Sequence, residues 1–212
     1  MQNQLASNIL SLTNISCIRG DNQLFTDINI TVSNGELIRI RGENGSGKTS
    51  LLKIMSGISS PEQGDITWNG EDIKHSEAYA ENIAYLAHKD GIKPELSTIE
   101  NLEFYQKLFS CTDKKSVRNI LQSLDLSHTI YLKARQLSFG QRRRLAFARL
   151  LLSPAKLWLL DEPFTGVDLA GRKLLEQQCI EFLLSNGMII MTNHAEIENP
   201  ELARLERSVA LN

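Results

Sequence analysis

"GENGSGKT", residues 42–49, is the stretch on which the reading of this chain turns. It fits G-x-x-x-x-G-K-[ST] at every required position, and it stands where an apolar strand ends and a helix is due to begin. Gly42, Gly45 and Gly47 let the backbone curl until successive amide N–H groups converge. With the N-terminus of the following helix, those groups form a cradle for phosphate oxygens. Glu43, Asn44 and Ser46 complete the loop, and Ser50 stands at its exit. Lys48 is placed to reach the β- and γ-phosphates, and Thr49 to hold Mg2+ through its hydroxyl. A glycine-rich turn that merely contains a lysine would not need this full spacing, so the loop predicts nucleotide binding.

Upstream, "LFTDINITVSNGELIRIR" (24–41) places Ile28, Ile30 and Val32 in period-two alternation, then Asn34-Gly35, then Leu37, Ile38 and Ile40. This predicts two strands paired through a tight turn. "GDITWNGEDI" (64–73) carries a second hairpin signal, with Asn69-Gly70 suited to a type I′ turn. The N-terminal third is therefore expected to be rich in antiparallel strand.

Downstream the texture becomes helical between Pro94 and about Arg135. "STIENLEFYQKLF" (97–109) has Ser97 and Glu100 at capping-box spacing, with Ile99, Leu102, Tyr105 and Leu108 predicted along one face. "VRNILQSLDL" repeats the pattern through Val117, Ile120, Leu121 and Leu124. Two apolar strands follow, "KLWLLD" (156–161) and "GMIIMTN" (187–193), without clean alternation, as parallel strands covered on both faces require. The first ends in "DEP": Asp161 is suited to hold Mg2+ and Glu162 to deprotonate an attacking water. A chance acidic pair on a surface turn is the alternative, but two carboxylates ending a buried strand carry a desolvation cost that a functional role explains.

Composition narrows the class. The 212 residues suit one domain with a sizeable core, and 23 Lys plus Arg against 25 Asp plus Glu leave a net charge of -2, with no global field for nucleic acid or anionic lipid. Cys17, Cys111 and Cys179 lack metal or redox spacing, which predicts reduced structural thiols. "MQNQLASNIL" has neither a basic leader nor a long apolar core, and the longest apolar runs fall short of the roughly 20 residues that span a bilayer. The chain is expected to be soluble, with membrane contact only through partners.

"QLSFGQRRRLAFARL" (136–150) puts a polar turn before three arginines and an apolar helix. "LSFGQ" resembles the signature motif, usually LSGGQ, of ATP-binding-cassette ATPases. The resemblance extends over essentially the whole chain: the glycine-rich loop, the signature, "LLDEP" (159–163), "FTGVD" (164–168) and His194 after the last strand stand in the family's order. It implies an α/β fold: a P-loop NTPase cassette with a RecA-like core, an antiparallel β subdomain and an α-helical subdomain inserted at roughly 89–152, all within one unit over 1–212. It implies ATP and Mg2+ as ligands, with Lys48, Glu162 and His194 catalytic and Thr49 and Asp161 at the metal.

The resemblance further implies a head-to-tail dimer. Ser138, Phe139, Gly140 and Gln141 of one copy would close over the nucleotide of the other, with Asp168 at the interface. Phe139 departs from the family's usual glycine. Arg19, in "CIRG" (17–20), stands where the family puts an aromatic ring against adenine, and its planar guanidinium can also stack. His88, in "AHKDGIKPELSTIENL" (87–102), stands where the Q-loop glutamine is expected, a place that implies a contact to the metal through water. Arg142, Arg143 and Arg144 spread around more than half a helical turn, so some are expected in solvent and some beside acidic neighbours, not on a phosphate backbone.

"SCIRG", "AHKDGIKPELSTIENL" and "LDEPFTGVD" together resemble the ATPase subunit of the haem exporters of cytochrome c maturation. That implies integral membrane permease subunits of a haem-handling complex as partners, and a peripheral place on the cytoplasmic face of the bacterial inner membrane. His75, His88, His128 and His194 are scattered, and no Cys-x-x-Cys-His places haem on this chain. The other readings are the ATPase of a different small transporter and a soluble cassette acting on ribosomes or DNA. The latter is disfavoured by the lack of a second cassette or a long coiled-coil insert.

Overall fold

The structure, a computed structural model, describes residues 8–20, 22–109, 116–193 and 196–211. In chain order it runs through β1 (Ile9–Arg19), β2 (Asn22–Ser33), β3 (Leu37–Arg41), α1 (Lys48–Met55), β4 (Gln63–Trp68), β5 (Glu71–Asp72), α2 (Glu77–Asn82) and β6 (Ile83–Leu86). It continues with α3 (Thr98–Leu108), α4 (Val117–Ser123), α5 (Phe139–Leu152), β7 (Leu157–Asp161), α6 (Leu169–Leu184), β8 (Met188–Thr192), α7 (Pro200–Arg204) and β9 (Glu206–Ala210). Two sheets result: an antiparallel one in the order β2-β1-β4-β5, and a parallel one in the order β6-β7-β8-β3-β9.

In the parallel sheet β7 and β8 are buried along their whole length, which explains their nearly unbroken apolar runs. In β7, Leu157 and Leu159 face the cluster shared with α1 and the antiparallel sheet, while Trp158 and Leu160 face the helical side. In β8, Met188 and Ile190 take the first direction, Ile189 and Met191 the second. Period two is present; it separates two cores and not core from water. The helices α3, α4 and α5, which precede β7, share the second core through Leu102, Leu121 and Phe147.

One expected pairing is corrected. Residues 24–41 do form two strands joined by a turn, but not a hairpin: β2 pairs with β1, and β3 lies between β8 and β9 in the other sheet. The Asn34-Gly35 turn is held across the molecule, Gly35 N donating to Gly187 O at 2.8 Å, and β3 enters the sheet where both its faces are buried. The Asn69-Gly70 hairpin is present, with φ of 54° and 86° as a type I′ turn needs. The Ser97–Glu100 capping box also forms. Leu108, expected on the apolar face of α3, is 62 % exposed at the helix end, while Leu102 is fully buried.

Candidate nucleotide-binding and hydrolysis site

The glycine-rich loop joins β3 to α1, so a strand buried on both faces aims it and a helix N-terminus stands behind it. Gly45 and Gly47 hold φ of 87° and 95°, a region that suits glycine. A Cβ at Gly47 would meet the Phe25 ring at 2.8 Å and Leu24 Cβ at 3.1 Å, because the β1–β2 hairpin lies against the loop. Lys48 is buried and donates from Nζ to Gly42 O (2.8 Å) and Glu43 O (2.7 Å), which orients the third N–H of the ammonium.

At the tip of β7, Asp161 is 2 % exposed and both of its oxygens are engaged. Thr49 Oγ1 donates to Oδ2 (2.9 Å) and Thr192 Oγ1 to Oδ1 (2.8 Å). Glu162 follows with φ 49°, left-handed for a non-glycine residue; its N–H donates to Thr192 Oγ1 (3.0 Å) and its Oε2 accepts from Thr165 Oγ1 (3.1 Å). Such outliers collect where geometry serves chemistry. A cleft of about 250 Å³ is lined by Leu24, Asn44, Gly45, Gly47, Lys48, Thr49, Ser50 and Glu162. The phosphate loop and the candidate base thus face the same space.

The residues fit Mg2+: a hydroxyl and a carboxylate oxygen lie at hydrogen-bond distance in one site, and Mg2+ takes few protein oxygens and fills its shell with water and phosphate. Among the described residues no group of three or more His, Cys, Asp or Glu side chains is arranged to hold a metal ion. Ser46 Oγ, within the cradle, is buried and has no hydrogen-bond partner among the described residues. The phenol of Tyr85, on β6, is pushed up to about 12, by burial first and then by the Asp161 charge.

Other expected residues lie apart from this cleft. Ser138 caps α5, accepting from Gln141 N (3.2 Å) while Ser138 N donates to Gln141 Oε1 (2.9 Å). Phe139 is 50 % exposed, and neither it nor Gly140 lines the cleft. Asp168 is exposed and caps α6 through Gly171 N (2.9 Å). Arg19 is exposed at the end of β1, in the same hairpin as Leu24, and His88 is exposed two residues beyond β6. Neither lines the cleft. His194 lies outside the described residues. Thr192 and Leu24 went unassigned in the sequence; the signal for Thr192 is its register opposite Asp161 in β7, which only strand pairing reveals.

A chain with this fold around this loop and this acid pair is a nucleotide-hydrolysing cassette. The family profile described as ABC transporter matches residues 25–165. A cytochrome c biogenesis ATP-binding export protein, CcmA, of Histophilus somni is 45 % identical over 95 % of this chain and 94 % of its own length. The protein of the same name from Nitrosomonas europaea is 44 % identical over 89 % of this chain and 90 % of its own length. An ATP-binding cassette solved as a dimer in a post-hydrolysis state with ADP and Pi matches the fold with a TM-score of 0.79 at 22 % identity, covering 95 % of this chain and 94 % of that one. The chain belongs to the ABC transporter ATPases and, among them, to the CcmA-type proteins. Among the described residues no helix is long and apolar enough to cross a membrane.

Proposed function

We propose that this chain is the ATP-hydrolysing subunit of a haem-handling export complex in c-type cytochrome biogenesis, acting as one cassette over residues 1–212. The observation that carries the hydrolytic part is the common space faced by Lys48, Thr49 and Glu162; the process is supported by the 45 % identity to a cytochrome c biogenesis export protein.

The chain's own residues divide the chemistry. Loop amides and Lys48 bind and orient the β- and γ-phosphates. Thr49 and Asp161 would hold Mg2+, which neutralises phosphate charge when bound. Glu162, kept in place by Thr165 and by the Thr192 hydroxyl, accepts a proton from the attacking water at its carboxylate. In our reading Ser138, Phe139, Gly140 and Gln141 meet the nucleotide of a second copy, since they lie apart from the cleft of their own chain. Asp168 lies at that interface, and His194 contacts the γ-phosphate. Arg19 stacks on adenine, and His88 occupies the Q-loop position between nucleotide and membrane subunits. Those permease subunits keep the chain peripheral at the cytoplasmic face of the inner membrane.

Glu162→Gln keeps the cradle and the metal ligands and removes the base, so ATP binding should persist while turnover falls by about 10²- to 10⁴-fold. Lys48→Ala should instead weaken binding itself. Titration with a fluorescent ATP analogue and steady-state phosphate release, on complex co-purified from solubilised membranes, check both; near wild-type hydrolysis by Glu162→Gln overturns the base assignment. Haem retained by the co-purified complex, read by its absorption spectrum, tests the cargo.

A further inference from the structure

The three consecutive arginines part company in the structure. Arg142 donates to Leu137 O, and Arg144 to Leu124 O and the Asp125 carboxylate, each within the helical part. Arg143 turns the other way. It is 2 % exposed, and all three of its guanidinium nitrogens are engaged. Nε donates to Pro163 O (3.3 Å), and Nη2 to Asp161 O (2.5 Å) and Glu162 O (2.9 Å). Nη1 donates to Ala87 O (2.9 Å) and to Asp90 Oδ1 (3.0 Å).

A buried guanidinium is tolerated only when its donors are satisfied and its charge is answered. Here most of the satisfaction comes from backbone carbonyls of two segments, and the charge is answered by Asp90. The first segment is the turn 161–163, which carries the metal-side carboxylate and the base and includes the left-handed Glu162. The second runs from Ala87 to Asp90, immediately after β6, and contains His88. Asp90 also lines a surface groove of about 400 Å³ with Gly91, Ile92, Pro94, Arg135 and Arg142. A planar fork is suited to hold several acceptors at fixed angles, which a lysine ammonium cannot do.

We propose that Arg143 is a positioning residue for hydrolysis: its guanidinium holds the Glu162 turn and joins it, through Ala87 and Asp90, to the segment after β6. A shift of that segment is then transmitted to the backbone that aims the base. Arg143 acts through Glu162 and touches no reacting atom, and the inference rests on Glu162 being the base.

The test is kinetic, on the complex co-purified with its membrane subunits, comparing wild type, Arg143→Lys, Asp90→Asn, the double variant and Glu162→Gln. We expect Arg143→Lys to lower kcat about tenfold or more with KM for ATP within about threefold, the pattern of an interaction that matters only in the transition state. Asp90→Asn should lower kcat less, and the double variant should be no worse than Arg143→Lys alone, because both act on one network. Wild-type kcat in Arg143→Lys overturns the proposal, as does a kcat loss matched by an equal loss of ATP affinity, which would mark a merely structural role. Should Arg143→Lys fail to fold, Asp90→Asn decides: unchanged kcat there overturns it. Near wild-type hydrolysis by Glu162→Gln would instead sink the base assignment on which the inference stands.

Discussion

Arg19 shows how a single residue can be tested apart from the loop it serves. It is exposed at the end of β1, in the hairpin whose Leu24 borders the cleft and whose Phe25 packs on Gly47. A stacking role depends on a flat face, whereas a phosphate contact depends on charge. Arg19→Tyr should therefore bind a fluorescent ATP analogue like the wild type, while Arg19→Ala should lose about fivefold in affinity, the scale of a cation–π contact near 1 kcal/mol. Equal losses in both variants would assign a charge role. Lys48, Thr49, Asp161 and Glu162 were legible as a set because each belongs to a motif with fixed spacing. Thr192 was not: its hydroxyl contacts both Asp161 and Glu162 N, but only the β7–β8 register brings it there.

Between elements, the contact of the signature helix with the loop after β7 is steric. Gly166 holds φ 72°, and a Cβ there would overlap the Phe139 ring; a Cβ on Gly140 would lie 3.2 Å from Gly166 O. The bulky residue of the signature thus sits where its neighbour has no side chain. Gly166→Ala should reduce kcat through both overlap and a left-handed alanine, the latter worth about 1–2 kcal/mol. Adding Phe139→Ala relieves only the overlap, so the double variant should recover part of the lost kcat. If it remains as slow as Gly166→Ala alone, the ring contact has no bearing on turnover. The start of α3 followed the sequence, where Ser97 and Glu100 marked its cap, and so did the Asn69-Gly70 hairpin; the pairing of residues 24–41 did not, because the turn after β2 looks alike whether the chain folds back or crosses to another sheet.

Across the whole molecule, stability rests on a parallel sheet enclosed by two cores. Trp158 stands on the helical side, stacked on Phe182 (centroids 3.8 Å apart, planes 4° from parallel) and edge-on to Phe147 at 5.5 Å. Trp158→Ala should cost about 3–5 kcal/mol, read from urea denaturation midpoints. Cys179 is fully buried in the same core, and its thiol is pushed well above the ordinary range, by burial first and by Glu176 second. It should resist a maleimide at neutral pH until the chain unfolds, as mass spectrometry of its peptide would show; rapid native labelling would contradict the packing described.

What the sequence determined by itself is local: a glycine-rich loop between strand and helix, a candidate base beside a candidate metal-side acid, and the cap of α3, each encoded by residues close together in the chain and by the covalent geometry of glycine, threonine and the carboxylates. Tertiary structure alone decided that β3 leaves β2 for the parallel sheet, that Thr192 stands between Asp161 and Glu162, and that Arg143 reaches two segments more than a helix away in sequence. The reason is that burial and hydrogen-bond satisfaction are settled across the fold: an arginine run reads the same whether it meets water or a set of carbonyls, and only packing chooses.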